Sequence, residues 1–308
     1  MKNSNEVRTN EIIARNVAKE GRHLGDVVWM SMSGVNARRS DIRAAFAAEG
    51  LPEALAPSDP TPEAAFGMAV NAYGNGEQHN GVFLRRVDAS RRGSDVLVLH
   101  AVKVAGGLDQ VSTLGRVGLS GGALTFVKDP ILWSKDANAA LAELTSTYSD
   151  RVEHATSVEL GTAVVAAILG WCGGIRLRDR GNVYWAHATG NEEIRALSRV
   201  LSRFGGSYLA ILPVHDNREA RATVQRAATE SFDVELRDIA VELEKFKSAD
   251  GLRFSTLENR LEAYSDLANR VDMYADILGS KRDELVEKLE AAKEAVRQML
   301  HATDDATS

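Results

Sequence analysis

The residues with the clearest chemical potential are arginines that lie near aromatic residues in two stretches rich in β-forming residues. Arginine side chains bind the phosphates of nucleic acids, and nearby aromatic rings can stack on the bases. On a strand, alternate side chains share a face, so Arg176 and Arg178 can point together at a phosphate backbone. The sequence therefore predicts a nucleic-acid-binding surface. Its predicted residues are Arg85, Arg86, Arg91, Arg92, Arg176, Arg178, Arg180 and Tyr184, with Phe83 and Arg116 near the first set.

Each arginine set also has a structural interpretation. Charged side chains on a strand can simply be solvated, and they keep an exposed edge from pairing with another chain. The pair Tyr184 and Trp185 follows the second set, and alternation along a strand sends one ring inward and the other outward. For Trp185 a place in the core is the better interpretation.

Patterns for catalysis, metals and cofactors are weak. The seven histidines are scattered along the chain, and one cysteine, Cys172, cannot build a structural zinc site. No glycine pair belongs to a Rossmann or P-loop motif, and no G-x-S-x-G sequence supports a Ser/His/Asp triad. We therefore predict no catalytic residue, no metal and no cofactor. Carboxylates that flank strands could bind magnesium, but such positions more often serve turns. They are Asp26, Asp88, Asp95 and Asp109.

The composition is that of a soluble globular protein. The 308 residues suffice for two domains, and 44% of them are apolar and 26% charged. A formal net charge of −6 argues against nucleic acid as a partner of the whole surface, but it is compatible with a local basic patch. No segment reaches the roughly 18 apolar residues that cross a bilayer, and residues 1–10 do not resemble a signal peptide. Together with the single cysteine, these features predict a cytoplasmic protein.

The order of elements predicts an α+β fold. Four short runs of β-forming residues, divided by glycine-containing turns, favour an antiparallel meander. A further strand at 26–33 and a hairpin around Asp179–Gly181 are expected, as is a short helix at 11–20. The expected divisions are an arm and helix (1–23), a mixed domain with the meander (24–134), a helix–hairpin–helix–strand unit (135–215), a coiled-coil-like helical region (216–301) and a disordered tail (302–308).

The last third of the chain carries an apolar seam. Apolar residues recur there at spacings of four and three, so each run presents one face of a helix that must be buried. We predict that this seam mediates homo-oligomerisation or the docking of a protein partner, although packing among helices of one chain is an open alternative. The predicted residues are Leu257, Leu261, Tyr264, Val271, Leu278, Leu285, Leu289 and Val296.

Two passages resemble an uncharacterised protein family found in phages and bacteria. The first is VVWMSMSGVNARRSDIRAAFAAEGLPEAL (27–55), and the second is IRLRDRGNVYWAHATGNEEIRALSRVL (175–201). The resemblance implies a mobile-element origin, which would place the protein in the cytoplasm of a host. It implies no activity and no catalytic residues, because none is established for that family.

The resulting functional prediction is a non-enzymatic, oligomeric interaction or scaffold protein with nucleic acid as a partner. Two alternatives remain open. One is an enzyme of nucleic-acid or nucleotide metabolism with a divergent site, and the other is a monomeric protein-binding module.

Overall fold

The computed structural model describes residues 22–74, 81–86, 95–103, 109–177, 181–247 and 254–307. These residues form an α+β protein in which neighbouring strands pair antiparallel. The chain divides into two compact units. The first unit comprises Met1–Gly34, Ala45–Leu55 and Gly161–Ser308, and the second comprises Val35–Ala44 and Ala56–Leu160.

The elements alternate in short groups along the described chain. The strands are β1 (His23–Ser31), β2 (Asn36–Arg38), β3 (Val82–Arg86), β4 (Asp95–Lys103), β5 (Asp109–Ser120), β6 (Ala123–Lys128), β7 (His154–Thr156), β8 (Ile175–Arg176), β9 (Val183–His187) and β10 (Tyr208–His215). The helices are α1 (Arg39–Ala48), α2 (Pro62–Gly74), α3 (Lys135–Glu153), α4 (Ser157–Ala166), α5 (Asn191–Leu201), α6 (Arg218–Lys247), α7 (Phe254–Met273), α8 (Ala275–Leu278) and α9 (Lys281–Thr307).

The second unit contains the predicted meander. Strands β3, β4, β5 and β6 pair in chain order, as the glycine-containing turns indicated. Helices α2 and α3 share an apolar core with this sheet, to which Phe66, Val98 and Leu144 contribute fully buried side chains. The hydroxyl of Tyr73 donates to the carbonyl of Val82 at 3.1 Å, and the hydroxyl of Tyr148 donates to the carbonyl of Gly122 at 2.7 Å. Both helices are thus anchored to the sheet by hydrogen bonds as well as by apolar packing.

A buried arginine holds the remaining part of this unit together. Arg39 donates to the carbonyls of Ser58 at 2.9 Å and of Arg151 at 3.4 Å, and it forms an ion pair with Glu159. Burial opposes the ionisation of Glu159, but hydrogen bonds from Arg39 and Thr156 outweigh it and lower the pKa of this carboxyl. A guanidinium with three partners can be buried at an acceptable cost, because Glu159 balances its charge and both terminal nitrogens are hydrogen-bonded.

The first unit contains a second four-stranded sheet, in the order β10-β1-β9-β8. The predicted hairpin is present, since β8 pairs with β9. Strand β1, however, pairs with β9 and β10 rather than with the meander, so its assignment to a mixed domain over 24–134 was wrong. The partners of β1 lie more than 150 residues away along the chain, and a local sequence pattern carries no information about such distant pairing.

The C-terminal helices bury the apolar seam within the chain. Seven of the eight predicted association residues are buried, and Leu261 packs against the same core. This core also includes Trp185 of the sheet and Phe232 of α6. The prediction that these eight side chains offer a surface for a second copy or a partner was therefore wrong. The pattern correctly indicated that a helical face must be buried, but the surface that covers it belongs to the same chain.

A break between two long helices helps the seam to fold back. The break falls at α8, where Gly279 adopts a φ of +57°, a left-handed conformation that glycine tolerates without steric cost. Helix α9 then continues to Thr307, so the tail expected at 302–308 was wrong for all but its last residue, which lies outside the described part. No glycine or proline interrupts residues 302–307, and nothing in that segment ends a helix.

Because the seam is buried within the chain, two valine-to-alanine substitutions should differ in their effect on the free energy of unfolding. Val271→Ala removes a fully buried side chain from the seam, whereas Val241→Ala acts on α6 at a valine that is 55% exposed. We expect the first change to lower the free energy of unfolding by about 2 kcal/mol and the second by less than about 0.5 kcal/mol. Urea denaturation followed by circular dichroism measures both, and equal losses would contradict the buried seam.

Candidate functional site

Two predicted arginines lie in one row across the meander sheet. Arg85 on β3 pairs with Leu97 on β4, Leu97 pairs with Arg116 on β5, and Arg116 pairs with Val127 on β6. Directly opposed residues of antiparallel strands project to the same face of a sheet. Because neighbouring strands are about 4.8 Å apart, the two arginine backbones, two strands apart, are separated by about 10 Å.

This row lies on the solvent-facing side of the sheet. Along the strands, Val82, Val98 and Val117 are fully buried in the core, while Arg85 and Arg116 are exposed and Val127 is 69% exposed. The half-buried Phe83 belongs to the neighbouring row, since it pairs with Leu99, which in turn pairs with Thr113. We call this surface the outer sheet face and define it by Phe83, Arg85, Thr113, Arg116 and Val127. It combines two guanidinium groups with a phenyl ring on a flat support.

The structure describes only some of the other arginines of the predicted surface. Arg86 is the last residue of β3. Arg91, Arg92, Arg178 and Arg180 lie outside the described residues. The structure therefore brings together Arg85, Arg116 and Phe83 from the first predicted set.

The second set differs from its prediction at Tyr184. Arg176 is exposed, and its guanidinium carbon lies 5.6 Å from the centroid of the Tyr184 ring. That ring is only 1% exposed, so it offers no face to a nucleic-acid base, and its predicted stacking role was wrong. Trp185 is equally buried, as predicted for a core residue. Tyr184 and Trp185 point to opposite faces, and both are buried because β9 is an inner strand that is covered on both faces.

Arg176 borders an open cleft between β8 and α6. The cleft has a volume of about 490 Å³, and its charged lining residues are Arg176, Arg237, Glu230 and Asp233. Two guanidinium groups are thus balanced by two carboxylates, and Asp233 also lies 3.9 Å from Lys288. An electrically balanced cleft gives little attraction for a polyanion. The arginines of this cleft therefore do not form a local concentration of positive charge.

Three of the seven histidines meet at one end of the first-unit sheet, an arrangement that sequence spacing did not reveal. His23 pairs with His215 across β1 and β10, and Gly25 pairs with His187 across β1 and β9. The His23 and His215 ring centroids are 6.4 Å apart. In the sequence, His187 and His215 each follow a predicted strand, and His23 lies three residues before the strand predicted at 26–33. Without the register, nothing indicated that these ends lie side by side.

Two of the three histidines, His23 and His187, face an aspartate. The Nε2 atom of His23 lies 3.1 Å from Oδ1 of the fully buried Asp26, and Nε2 of His187 lies 3.5 Å from Oδ1 of Asp276. The Nδ1 atom of His187 accepts the backbone N–H of Thr189 at 3.3 Å, which leaves the ring proton on Nε2, facing Asp276. Burial lowers the pKa of His187, although the Asp276 carboxylate opposes this shift. The lowered pKa favours the neutral form of the His187 imidazole.

Metal-binding and membrane-spanning features are not evident in the part of the chain that the structure describes. Among these residues, no group of three or more His, Cys, Asp or Glu side chains is arranged to hold a metal ion. Nor does any helix within the described ranges combine the length and apolarity that crossing a membrane requires.

Comparison with protein families identifies the chain. It belongs to DUF6744, a family of unknown function, whose model matches residues 23–305. This match confirms the resemblance to an uncharacterised family. Comparisons with curated proteins and with solved structures gave no match. The membership covers nearly the whole described chain and assigns no activity to it.

The reactivity of the lone cysteine, Cys172, tests whether its thiol is buried in the core. Burial raises the pKa of the Cys172 thiol to about 12, and the charge of Glu193 adds to this effect. Because the thiolate is the reactive form, we expect Cys172 in the folded protein to react with a thiol-specific disulfide reagent at pH 8 at least 100-fold more slowly than in urea. Absorbance of the released thiolate measures the rate. Rapid reaction of the folded protein would show that Cys172 is accessible and ionised.

Proposed function

We propose that the protein is a non-enzymatic interaction protein that binds nucleic acid through the outer sheet face. The observation that supports this function is the row formed by Arg85 and Arg116 on the side of the meander that the helices leave exposed. Guanidinium groups form two parallel hydrogen bonds with phosphate oxygens, and two of them on a rigid sheet can engage successive parts of one backbone.

The remaining side chains of this face suit the same ligand. Phe83 is half-buried, so part of its ring is accessible for stacking on a base, and Val127 is an exposed apolar contact. Thr113 is exposed and carries a hydroxyl that can bond to phosphate or sugar. These groups bind without carrying out a reaction, which favours a binding role over an enzymatic one.

The overall charge limits where binding occurs. At a formal net charge of −6, the protein as a whole repels a polyanion, so attraction depends on a local concentration of positive charge. The mixed-charge cleft beside Arg176 does not provide such a concentration of positive charge, whereas the outer sheet face does.

A cytoplasmic location and a mobile-element origin are part of the same proposal. The single cysteine supports the location, and the passages at 27–55 and 175–201 support the origin.

A double substitution tests the outer sheet face directly. We expect R85A/R116A to weaken binding of a fluorescein-labelled 30-nucleotide single strand about tenfold at 50 mM salt, because two phosphate contacts are lost. The slope of log Kd against log salt concentration should fall by about 1 to 2. Fluorescence anisotropy between 50 and 200 mM salt measures both quantities.

The matched control removes the same charge from the first unit. R195A/R218A replaces two exposed arginines of that unit, and its affinity and salt slope should stay close to those of the intact protein. The proposed function is wrong if the intact protein fails to bind single-stranded or double-stranded nucleic acid at 50 mM salt. If R85A/R116A and R195A/R218A lost affinity equally, binding would depend on the general charge of the protein rather than on a specific site.

A further inference from the structure

Strand β6 forms one edge of the meander sheet, because it pairs with β5 alone. None of its residues is buried, whereas β3, β4 and β5 all contribute buried side chains to the core of this unit. Val127, on the outer sheet face, is 69% exposed. Phe126 pairs with the fully buried Val117 and therefore lies on the side of the helices, yet it is 38% exposed. The strand thus offers apolar side chains to solvent on both sides.

The backbone of β6 carries a row of unpaired polar groups along this edge. The N–H of Asp129, which follows β6, donates to the carbonyl of Leu114 on β5 at 2.8 Å. In an antiparallel pair, successive residues turn their N–H and C=O groups to alternate sides. Those of Leu124, Phe126 and Lys128 therefore point away from β5. In the described part of the chain, no hydrogen bond from another element reaches these groups.

The other edges of the two four-stranded sheets carry features that oppose pairing with a further strand. Strand β10 contains Pro213, which has no N–H to donate, and its Leu209 carbonyl accepts the hydroxyl of Ser198 at 3.0 Å. Strand β3 ends in two arginines, and β8 has only two residues. By contrast, β6 has no proline, and its only charge is on its last residue, Lys128. An exposed apolar edge without such protection favours pairing with another strand.

We propose that β6 pairs with β6 of a second copy of this chain, antiparallel and about a two-fold axis that passes through Phe126. In this register Phe126 lies opposite the partner's Phe126, and Leu124 lies opposite the partner's Lys128. Directly opposed residues whose polar groups face each other exchange two backbone hydrogen bonds. The pairing therefore satisfies every unpaired group of the row.

The side chains of β6 are complementary to themselves in this register. On the outer side, Thr125 of each copy lies opposite the partner's Val127, and β-branched residues pair favourably across strands. On the other side, the two Phe126 rings lie next to each other at the axis. Lys128 faces a leucine rather than a second lysine, so no like charges are opposed. A second copy thus fits the whole edge, which favours it over a strand of another protein.

The pairing has a consequence for the shape of the assembly. A two-fold contact between identical strands is closed, so it produces a dimer rather than a fibre. Because directly opposed residues project to the same face, the two outer sheet faces lie on the same side of one continuous sheet. The pairing itself uses only β6 and does not depend on nucleic acid, so it stands or falls separately from the proposed function.

Analytical ultracentrifugation of the intact protein without nucleic acid tests the pairing. An edge-to-edge interface is small, so we expect a reversible dimer with a dissociation constant of about 10 µM. Between about 1 and about 200 µM protein, the weight-average mass should therefore rise from near the 33.3 kDa of one chain toward twice that value. A mass that remains that of one chain over this range would overturn the proposal.

Two variants at the same exposed positions test the register. T125K/V127K places lysines opposite lysines across the axis, so the dissociation constant should rise at least about tenfold. T125K/V127E places a lysine opposite a glutamate at both positions, so dimerisation should be retained. V241K adds a charge to an exposed valine of the first unit and should leave dimerisation unchanged. Thermal unfolding followed by circular dichroism verifies that each variant is folded.

The comparison of these variants decides the register. Dimerisation that is weakened in T125K/V127K and retained in T125K/V127E would support the proposed pairing. An unchanged dissociation constant in T125K/V127K, or equal losses in both folded double variants, would overturn it.

Amide hydrogen exchange provides a measurement that needs no variant, should T125K/V127K not fold. The amides of Leu124, Phe126 and Lys128 point out of the sheet, so they exchange in the monomer and are protected in the dimer. Their exchange should be about fivefold slower at 200 µM than at 1 µM protein, in proportion to the fraction of monomer. The amides of Thr125 and Val127 face β5 and should show no such dependence. Exchange of the outward amides that is independent of concentration would overturn the pairing.

Discussion

Helices bury only one face of the meander sheet, and this one-sided burial determines which side chains reach solvent. Helices α2 and α3 pack on the face that carries Val82, Val98 and Val117, and two tyrosine hydroxyls fix them there. Because side chains alternate along a strand, residues between these valines must face water. Arg85 and Arg116 occupy such positions on strands with a common register, so the buried core itself brings the guanidinium groups into one row.

The first unit follows a different constraint, because its inner strand β9 is buried on both faces. The C-terminal helices supply the apolar cover on one side, which accounts for the burial of Trp185 and of the helical seam in a single core. At one end of this sheet His23, His187 and His215 lie close together, and His23 and His187 face Asp26 and Asp276.

Local signals in the sequence predicted the local structure well. Glycine turns indicated the meander and the β8–β9 hairpin. The predictions that failed concerned contacts between residues that are far apart in the sequence. The partners of β1, the meeting of His23, His187 and His215, and the surface that covers Leu289 all arise from pairings between remote segments. An amphipathic pattern shows that a face must be buried but does not identify its partner.

Photochemical cross-linking of the intact protein to a single-stranded oligonucleotide that contains 5-iodouracil tests the central claim most directly. Peptide mapping by mass spectrometry then identifies the strands that contact the bases. If the outer sheet face binds nucleic acid, the cross-linked peptides should include Phe83 on β3 or Thr113 on β5, and R85A/R116A should reduce their yield. Cross-links confined to the C-terminal helices, or a yield that these substitutions leave unchanged, would contradict this assignment.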